Sequence, residues 1–319
     1  MTEQTLNVLI ARREEQAEGI VVLDLVAPDG TPLPAFEAGA HLDVHVGPGL
    51  VRQYSLCGSP ADTARYRLGI LLDPASRGGS AAIHRAFHAG RQVTVSRPRN
   101  NFPLSAGAAH SVLIGGGIGV TPILAMAHHL ERAGQSFSVH YCARERGKAA
   151  FLKELAEAPY HARVHLHFDD EAEAQRFIPA RDLPEPAPGT HLYVCGPAGF
   201  MDWVIAEAGK AGHAATNIHR EYFKAEADMA GGAFEVVLSA SGRTVPVPAG
   251  SSIVQALAGA GVKIALSCEQ GVCGTCLCTV LEGIPDHRDV YLTEEEKAAN
   301  DQILLCCSRA KTPRLVLDL

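Results

Sequence analysis

The stretch 267–278, SCEQGVCGTCLC, gathers four of the chain's nine cysteines into twelve residues. A thiol-rich loop of this kind is a disulfide staple, a zinc site or an iron–sulfur centre, and each choice gives the rest of the chain a different task. Composition bears on the first. The opening MTEQTLNVLIARREEQ lacks the basic, apolar and small-residue order of a secretion signal. No window approaches the ~18 uninterrupted apolar residues of a membrane span. The expectation is a cytoplasmic protein with reduced thiols, where a disulfide framework has little place. A net charge of −7 provides no electrostatic footprint for nucleic acid or an anionic membrane, and leaves a basic partner surface open.

Cys268, Cys273 and Cys276 are spaced C-x4-C-x2-C, and Cys306 follows in ILLCCSRA. This is the plant-type 2Fe–2S spacing, in which four thiolates hold two irons. Gly271 and Gly274 fall where such a loop turns most tightly, and their N–H groups are candidates to point at cluster sulfurs. Zinc is the alternative. Zinc sites usually pair two C-x2-C knuckles, whereas here one knuckle occurs and the fourth cysteine stands alone. Cys278 and Cys307 read as small buried hydrophobes. A shift of the fourth ligand from Cys306 to Cys307 stays open.

Outward from this loop, the 319 residues suggest two or three domains. Residues 1–100 carry short strands bounded by Gly, Pro or Asp at barrel-like spacing: IVVLDLVAPDG, HLDVHVGPG, RQYSLCG and RYRLGILLD. Between 110 and 225 the apolar strands SVLIG, FSVHYC, ARVHLHF and HLYVCG alternate with the helical patterns PILAMAHHLERAG, KAAFLKELAEA and AGFMDWVIAEAGKAG. That alternation predicts a parallel sheet covered by helices. KAEADMAGG (224–232) reads as a linker. A hairpin and a helix capped by Ser251 or Ser252 follow. Trp203 is assigned to the core, and His128 and His129 to a solvated helix face.

Segment 233–319 resembles a plant-type ferredoxin domain. Its end, SRAKTPRLVLDL, is similar to that of the phthalate dioxygenase reductase family, which includes the vanillate demethylase reductases. The resemblance implies a multidomain chain: an antiparallel β-barrel flavin domain at 1–104, an α/β parallel-sheet nicotinamide domain at 105–225, and an α+β, β-grasp ferredoxin-like domain at 226–319. It also implies FMN, NADH and one 2Fe–2S cluster on Cys268, Cys273, Cys276 and Cys306.

The upstream motifs carry this resemblance residue by residue. Arg52-Gln53-Tyr54-Ser55 matches the R-x-Y-S of flavin barrels: an Arg to neutralise a phosphate, a Tyr ring against the isoalloxazine, and a Ser at its polar edge. Arg77-Gly78-Gly79-Ser80 opens a helix, where free N–H groups favour a phosphate. Gly115-Gly116-Gly117-Ile118-Gly119-Val120-Thr121-Pro122 departs from G-x-G-x-x-G and is similar to the glycine turn of ferredoxin-reductase-like nicotinamide domains, with Gly116, Gly117, Gly119 and Pro122 at the pyrophosphate and Thr121 approaching the flavin. Cys195-Gly196-Pro197 ends a strand, and the resemblance places Cys195 beside the nicotinamide. Phe223 occupies the family position for an aromatic near the flavin ring. Cys195, Thr121 and Phe223 are thus the residues expected at the reacting centre.

Electron counting then gives the function. NADH yields two electrons as hydride and a 2Fe–2S cluster takes one at a time, so the flavin stands between them. The resemblance implies a reductase delivering electrons to a terminal Rieske-type oxygenase in aromatic breakdown. A diiron hydroxylase or cytochrome is the alternative acceptor, and a zinc-bound module without redox activity is the reading from another class. Residues 143–146, Ala-Arg-Glu-Arg, offer two arginines to a 2′-phosphate and one glutamate against it; the resemblance favours NADH.

Overall fold

The computed structural model describes residues 5–74, 78–224 and 228–319, and the chain divides into two compact units, Met1–Glu221 and Tyr222–Leu319. In the first unit, strands β1 (Thr5–Ala17), β2 (Ile20–Val26), β3 (Ala40–Gly47), β4 (Leu50–Ser55), β5 (Tyr66–Leu71) and β6 (Gln92–Ser96) pair in the order β4-β3-β6-β1-β2-β5. Helix α1 (Gly79–Ala86) precedes β6, and the two-residue β7 (Arg99–Asn100) pairs with β3. All these pairings are antiparallel. A bridge from Leu56 to Leu68 joins the ends of that order, so the sheet curls into the expected barrel and its edges are covered. Val8, Ile10, Leu23, Leu42, Val44 and Val95 fill it and are all fully or almost fully buried.

The second sheet of this unit is parallel: β8 (His110–Gly116), β9 (Phe137–Ala143), β10 (Val164–Phe168), β11 (Thr190–Cys195) and β12 (Ile218–Glu221), in the order β10-β9-β8-β11-β12. Helices α2 (Val120–Arg132), α3 (Leu152–Glu157), α4 (Pro179–Asp182) and α5 (Ala198–Ala211) connect the strands. From β8 the chain builds outward through β9 and β10, then returns to the other side of β8 with β11. The strand order therefore reverses between β8 and β11, and in open α/β sheets the crevice beyond the carboxyl ends at such a reversal is where ligands bind.

Three expectations are corrected here. The helix read from KAAFLKELAEA starts only at Leu152, because Phe151 adopts φ 65°, left-handed backbone that an L side chain rarely takes. Its N–H is held by the Gln16 side chain at 3.0 Å. Trp203 is 42% exposed and not in the core; its ring meets Phe177 edgewise and Phe200 at a tilt, 6.1 and 6.3 Å between centroids, and so covers apolar surface from outside. His128 is not a solvated side chain: its Nε2 lies 3.6 Å from Glu154, which also binds Arg67 of β5 at 2.6 Å. Arg67 reaches Asp24 on β2 as well, at 3.4 Å. This network ties α3 and α2 to the barrel wall.

The second unit contains β13 (Phe234–Leu238), β14 (Thr244–Val247), α6 (Ile253–Gly259), β15 (Leu277–Glu282), β16 (Pro285–Asp286), α7 (Glu294–Ala299), β17 (Gln302–Leu304), β18 (Arg309–Ala310) and β19 (Arg314–Leu317). Five strands pair in the order β14-β13-β19-β15-β17, with β13 and β19 parallel, and α6 buries Ile253 and Leu257 against them. Ser252 is the cap: its hydroxyl accepts from the Gln255 N–H at 3.1 Å, and its own N–H donates back to the Gln255 side chain at 3.0 Å. Thr293 and Glu296 make the same reciprocal pair at the start of α7, so the acidic run Glu294–Glu296 serves a helix start. Part of the 224–232 stretch, residues 225–227, lies outside the described residues. Its far end is pinned: Arg288 donates to the Asp228 carbonyl, and the buried Arg309 donates to the Gly232 carbonyl at 2.8 Å.

Candidate functional site

The barrel motif and the helix that follows it meet. Arg52 and Tyr54 share one face of β4, and a Cβ on Gly79 would lie 2.6 Å from Arg52 Cγ, so the arginine stem crosses directly over the first turn of α1. Gly78 enters that turn with φ 89°, and no side chain caps the helix. First-turn N–H groups and a guanidinium are thereby brought together, the donor set an anionic phosphate requires. The Ser80 oxygen accepts from the Asp73 N–H at 3.1 Å, which closes the loop and leaves the hydroxyl proton to donate. Arg77, expected in this cradle, lies outside the described residues. Burial pushes the Tyr54 hydroxyl pKa well up, so the phenol stays neutral.

Gly116–Gly119 and Cys195–Pro197 also come together, at the strand-order reversal. Cys195 stands in register with Gly115 across β11 and β8. A Cβ on Gly119 would fall 2.3 Å from the Cys195 carbonyl oxygen, so the two turns touch backbone to backbone and only glycine fits. Thr121 is buried; its hydroxyl donates to the Ile118 carbonyl at 2.9 Å, and its methyl lies 2.9 Å from where a Gly69 Cβ on β5 would stand. Pro122 sits in the first turn of α2.

The flavin and nicotinamide motifs then converge on a residue that motif reading passed over. The Ser55 hydroxyl donates to Glu221 Oε2 at 3.5 Å, although the two are 166 positions apart. Burial raises the Glu221 carboxyl pKa from 4.5 to about 8, so it is chiefly protonated at neutral pH. Burial, then the neighbouring Glu221, pushes the fully buried Cys195 thiol well above its ordinary range; it is a neutral thiol and no nucleophile. The pattern HREYF offered only an acid at a strand end, with no spacing rule to mark it. Phe223 lies two residues past β12 and belongs to the second unit.

In the cysteine loop the thiols pair two and two. Cys273 accepts from the Cys268 thiol, which lowers the Cys273 pKa and raises that of Cys268. Cys276 is hydrogen-bonded to Cys306, which pushes the Cys276 thiol up. Two thiol pairs of this kind suit a two-iron centre, in which each iron takes two thiolates. Backbone N–H groups of Gln270 and Thr275 reach Cys268 and Cys273 sulfurs at 3.3 and 3.5 Å, and the Gly271 N–H bonds Cys306. Gly274 has φ 72°, and a Cβ there would lie 2.4 Å from the Tyr291 ring, so the loop turns tightly beneath that aromatic. Cys307 is fully buried on the far side of Gly271, and Cys278 is buried in β15.

Comparison with known proteins agrees with this division. Residues 236–311 match the 2Fe-2S iron-sulfur cluster binding domain, and residues 93–218 match the N-terminal domain of dimethylamine monooxygenase subunit DmmA-like proteins. The vanillate O-demethylase oxidoreductase of Pseudomonas sp. (strain HR199 / DSM 7063) is 48% identical over 98% of this chain and 100% of its own length. The carnitine monooxygenase reductase subunit of Escherichia coli (strain K12) is 40% identical over 99% of each. The structure of a phthalate dioxygenase reductase, described as modular for electron transfer from pyridine nucleotides to a 2Fe-2S centre, superposes with TM-score 0.76 at 38% identity and covers 99% of this chain and 98% of that one. An intact type IV self-sufficient cytochrome P450 monooxygenase superposes with TM-score 0.87 at 37% identity, covering 99% of this chain and 41% of the longer one.

Proposed function

Because the chain belongs to the oxygenase reductase family of vanillate O-demethylase oxidoreductase and phthalate dioxygenase reductase, we propose that it oxidises NADH through FMN and a 2Fe–2S cluster and delivers single electrons to a Rieske-type oxygenase acting on an aromatic compound. The observation that carries this is the meeting of Ser55, Glu221 and Cys195, which sets a flavin motif against a nicotinamide motif within one unit. Bound together, the flavin, nicotinamide and cluster supply the conversion of a two-electron donor into one-electron steps. The protein's own part is placement. Arg52 and the first turn of α1 hold the phosphate, and Tyr54 presents its ring. Gly116, Gly117, Gly119, Pro122, Gly196 and Pro197 leave room for the pyrophosphate and nicotinamide, with Thr121 and the neutral Cys195 walling the reacting centre against water. Ser55 holds its proton on Oγ, directed at Glu221.

Cys268, Cys273, Cys276 and Cys306 hold the cluster. Among the described residues no helix is long and apolar enough to cross a membrane. Anaerobic titration with NADH tests the reading: two electrons per flavin and one per cluster make the bleaching end at about 1.5 NADH per chain. An endpoint near one, or none, overturns it. The likeness to a self-sufficient cytochrome P450 favours a second acceptor, a cytochrome; reduction of a P450 and not of a Rieske centre under matched conditions would select it.

The flavin cradle gives a further expectation. Arg52→Ala removes the guanidinium while keeping the barrel strand, and should raise the FMN dissociation constant about 10- to 100-fold, the worth of a charge-assisted hydrogen bond. Gly79→Ala forces the arginine stem aside and should cost less, about tenfold. Fluorescence titration of the flavin-stripped protein measures both, and unchanged affinity in Arg52→Ala would remove this assignment.

A further inference from the structure

The carboxyl end of β9 carries Arg144-Glu145-Arg146, and in dinucleotide-binding sheets the end of this second strand meets the adenosine ribose, where an acid binds the 2′-hydroxyl or an arginine binds the 2′-phosphate. In the structure one of these two arginines, Arg146, is already engaged by another side chain. The end of β10 runs alongside: the Asp169 and Asp170 N–H groups donate to the Ala143 and Arg144 carbonyls at 3.1 Å each. That contact brings Asp169-Asp170-Glu171 against the arginines. Arg146 Nε donates to Glu171 Oε1 at 2.5 Å, and its guanidinium lies 4.4 Å from the centre of the Phe168 ring. Glu145 is turned to Lys148 at 2.6 Å. Arg146 and Lys148 are thus each paired with an acid, Glu171 and Glu145.

We propose that Glu171 is the coenzyme-selectivity residue of this reductase: it engages the Arg146 guanidinium stacked on Phe168 and so withholds it from a 2′-phosphate, excluding NADPH. The proposal rests on the NADH-oxidising function above. An exposed ion pair adds little stability; the effect of Glu171 is to keep the Arg146 guanidinium occupied and its charge neutralised where it would otherwise grip a 2′-phosphate bidentately. Glu171 is a positioning residue, acting through Arg146.

The test uses the full chain with its cofactors bound, NADH and NADPH as donors, and ferricyanide as the acceptor. In Glu171→Gln the KM for NADPH is expected to fall about tenfold with kcat unchanged, while the KM for NADH stays within twofold. Adding Arg146→Ala should erase the gain, and raised salt should diminish it. Glu173→Gln, which removes a nearby charge without touching Arg146, should leave both coenzymes as they were. An unchanged KM for NADPH in Glu171→Gln, a gain that survives Arg146→Ala, or an equal gain in Glu173→Gln each overturns the proposal. A wild-type protein that oxidises neither coenzyme overturns the functional reading and this proposal with it; normal NADH oxidation without the NADPH gain overturns this proposal alone.

Discussion

Cys306→Ala yields a protein that keeps its flavin but lacks the cluster's visible absorption, and its transfer to a cluster-dependent one-electron acceptor falls at least 100-fold. NADH-driven reduction of ferricyanide, which a flavin serves directly, stays within about threefold. The neighbouring Cys307→Ala gives the opposite pattern. Cys307 is fully buried, its Sγ contacts the Leu304 carbonyl and the Ser308 hydroxyl, and it fills the space beneath Gly271. Truncation there should cost about 1–2 kcal/mol of stability through the cavity it leaves, with the cluster retained. The two thiols touch each other, yet only Cys306 is also bonded to Cys276 and to the Gly271 N–H, at the loop that carries the other thiols, whereas Cys307 is fully buried against the Leu304 carbonyl. Iron content, visible spectra and the two acceptor assays decide the matter. A cluster lost from Cys307→Ala and kept in Cys306→Ala would shift the fourth ligand by one residue.

How much of this was legible in the sequence follows from how local each interaction is. The C-x4-C-x2-C spacing encodes a single loop, so its reading required no knowledge of distant residues, and the capping box at Ser252 is equally local. The parallel sheet was legible through its alternation of apolar runs and helices. What the sequence hid depends on contacts between distant segments. Trp203 looked like core by helical period, yet it lies outside the buried Phe177 ring and beside the half-buried Phe200. His128 looked solvated until α3 brought Glu154 beside it. Phe151 interrupts a good helical pattern because its ring fits under Gly69 and its N–H is taken by Gln16, a tertiary demand that overrides propensity. Arg146 had no visible partner until the pairing of β9 with β10 supplied Glu171.

Glu221 is the largest of these hidden features and has a pH consequence of its own. Its carboxyl titrates at about 8 in the folded chain against 4.5 in the unfolded one, burial being the main cause and the Ser55 hydrogen bond opposing it. The folded state therefore holds a proton that the unfolded state has already released, and the associated stability is complete below about pH 4.5 and is lost as pH rises through about 8. Glu221→Gln keeps the shape and the hydrogen-bond acceptor without the ionisation. In the cofactor-free protein the variant should lie within about 1 kcal/mol of wild type at pH 5 and gain on it by on the order of 3 kcal/mol between pH 5 and pH 8, read from urea midpoints.

The same proton bears on turnover. Ionised Glu221 would place a negative charge beside Ser55 and Cys195; with these at the hydride-transfer centre, as we propose, wild-type flavin reduction by NADH should decline above pH 8. In Glu221→Gln that decline should vanish. Ser55→Ala should slow flavin reduction about tenfold or more at every pH, since it removes the hydroxyl and not the titrating group. A wild-type rate flat from pH 6 to 9, or a decline that persists in Glu221→Gln, would show that the carboxyl buried between the two motifs does not control the transfer.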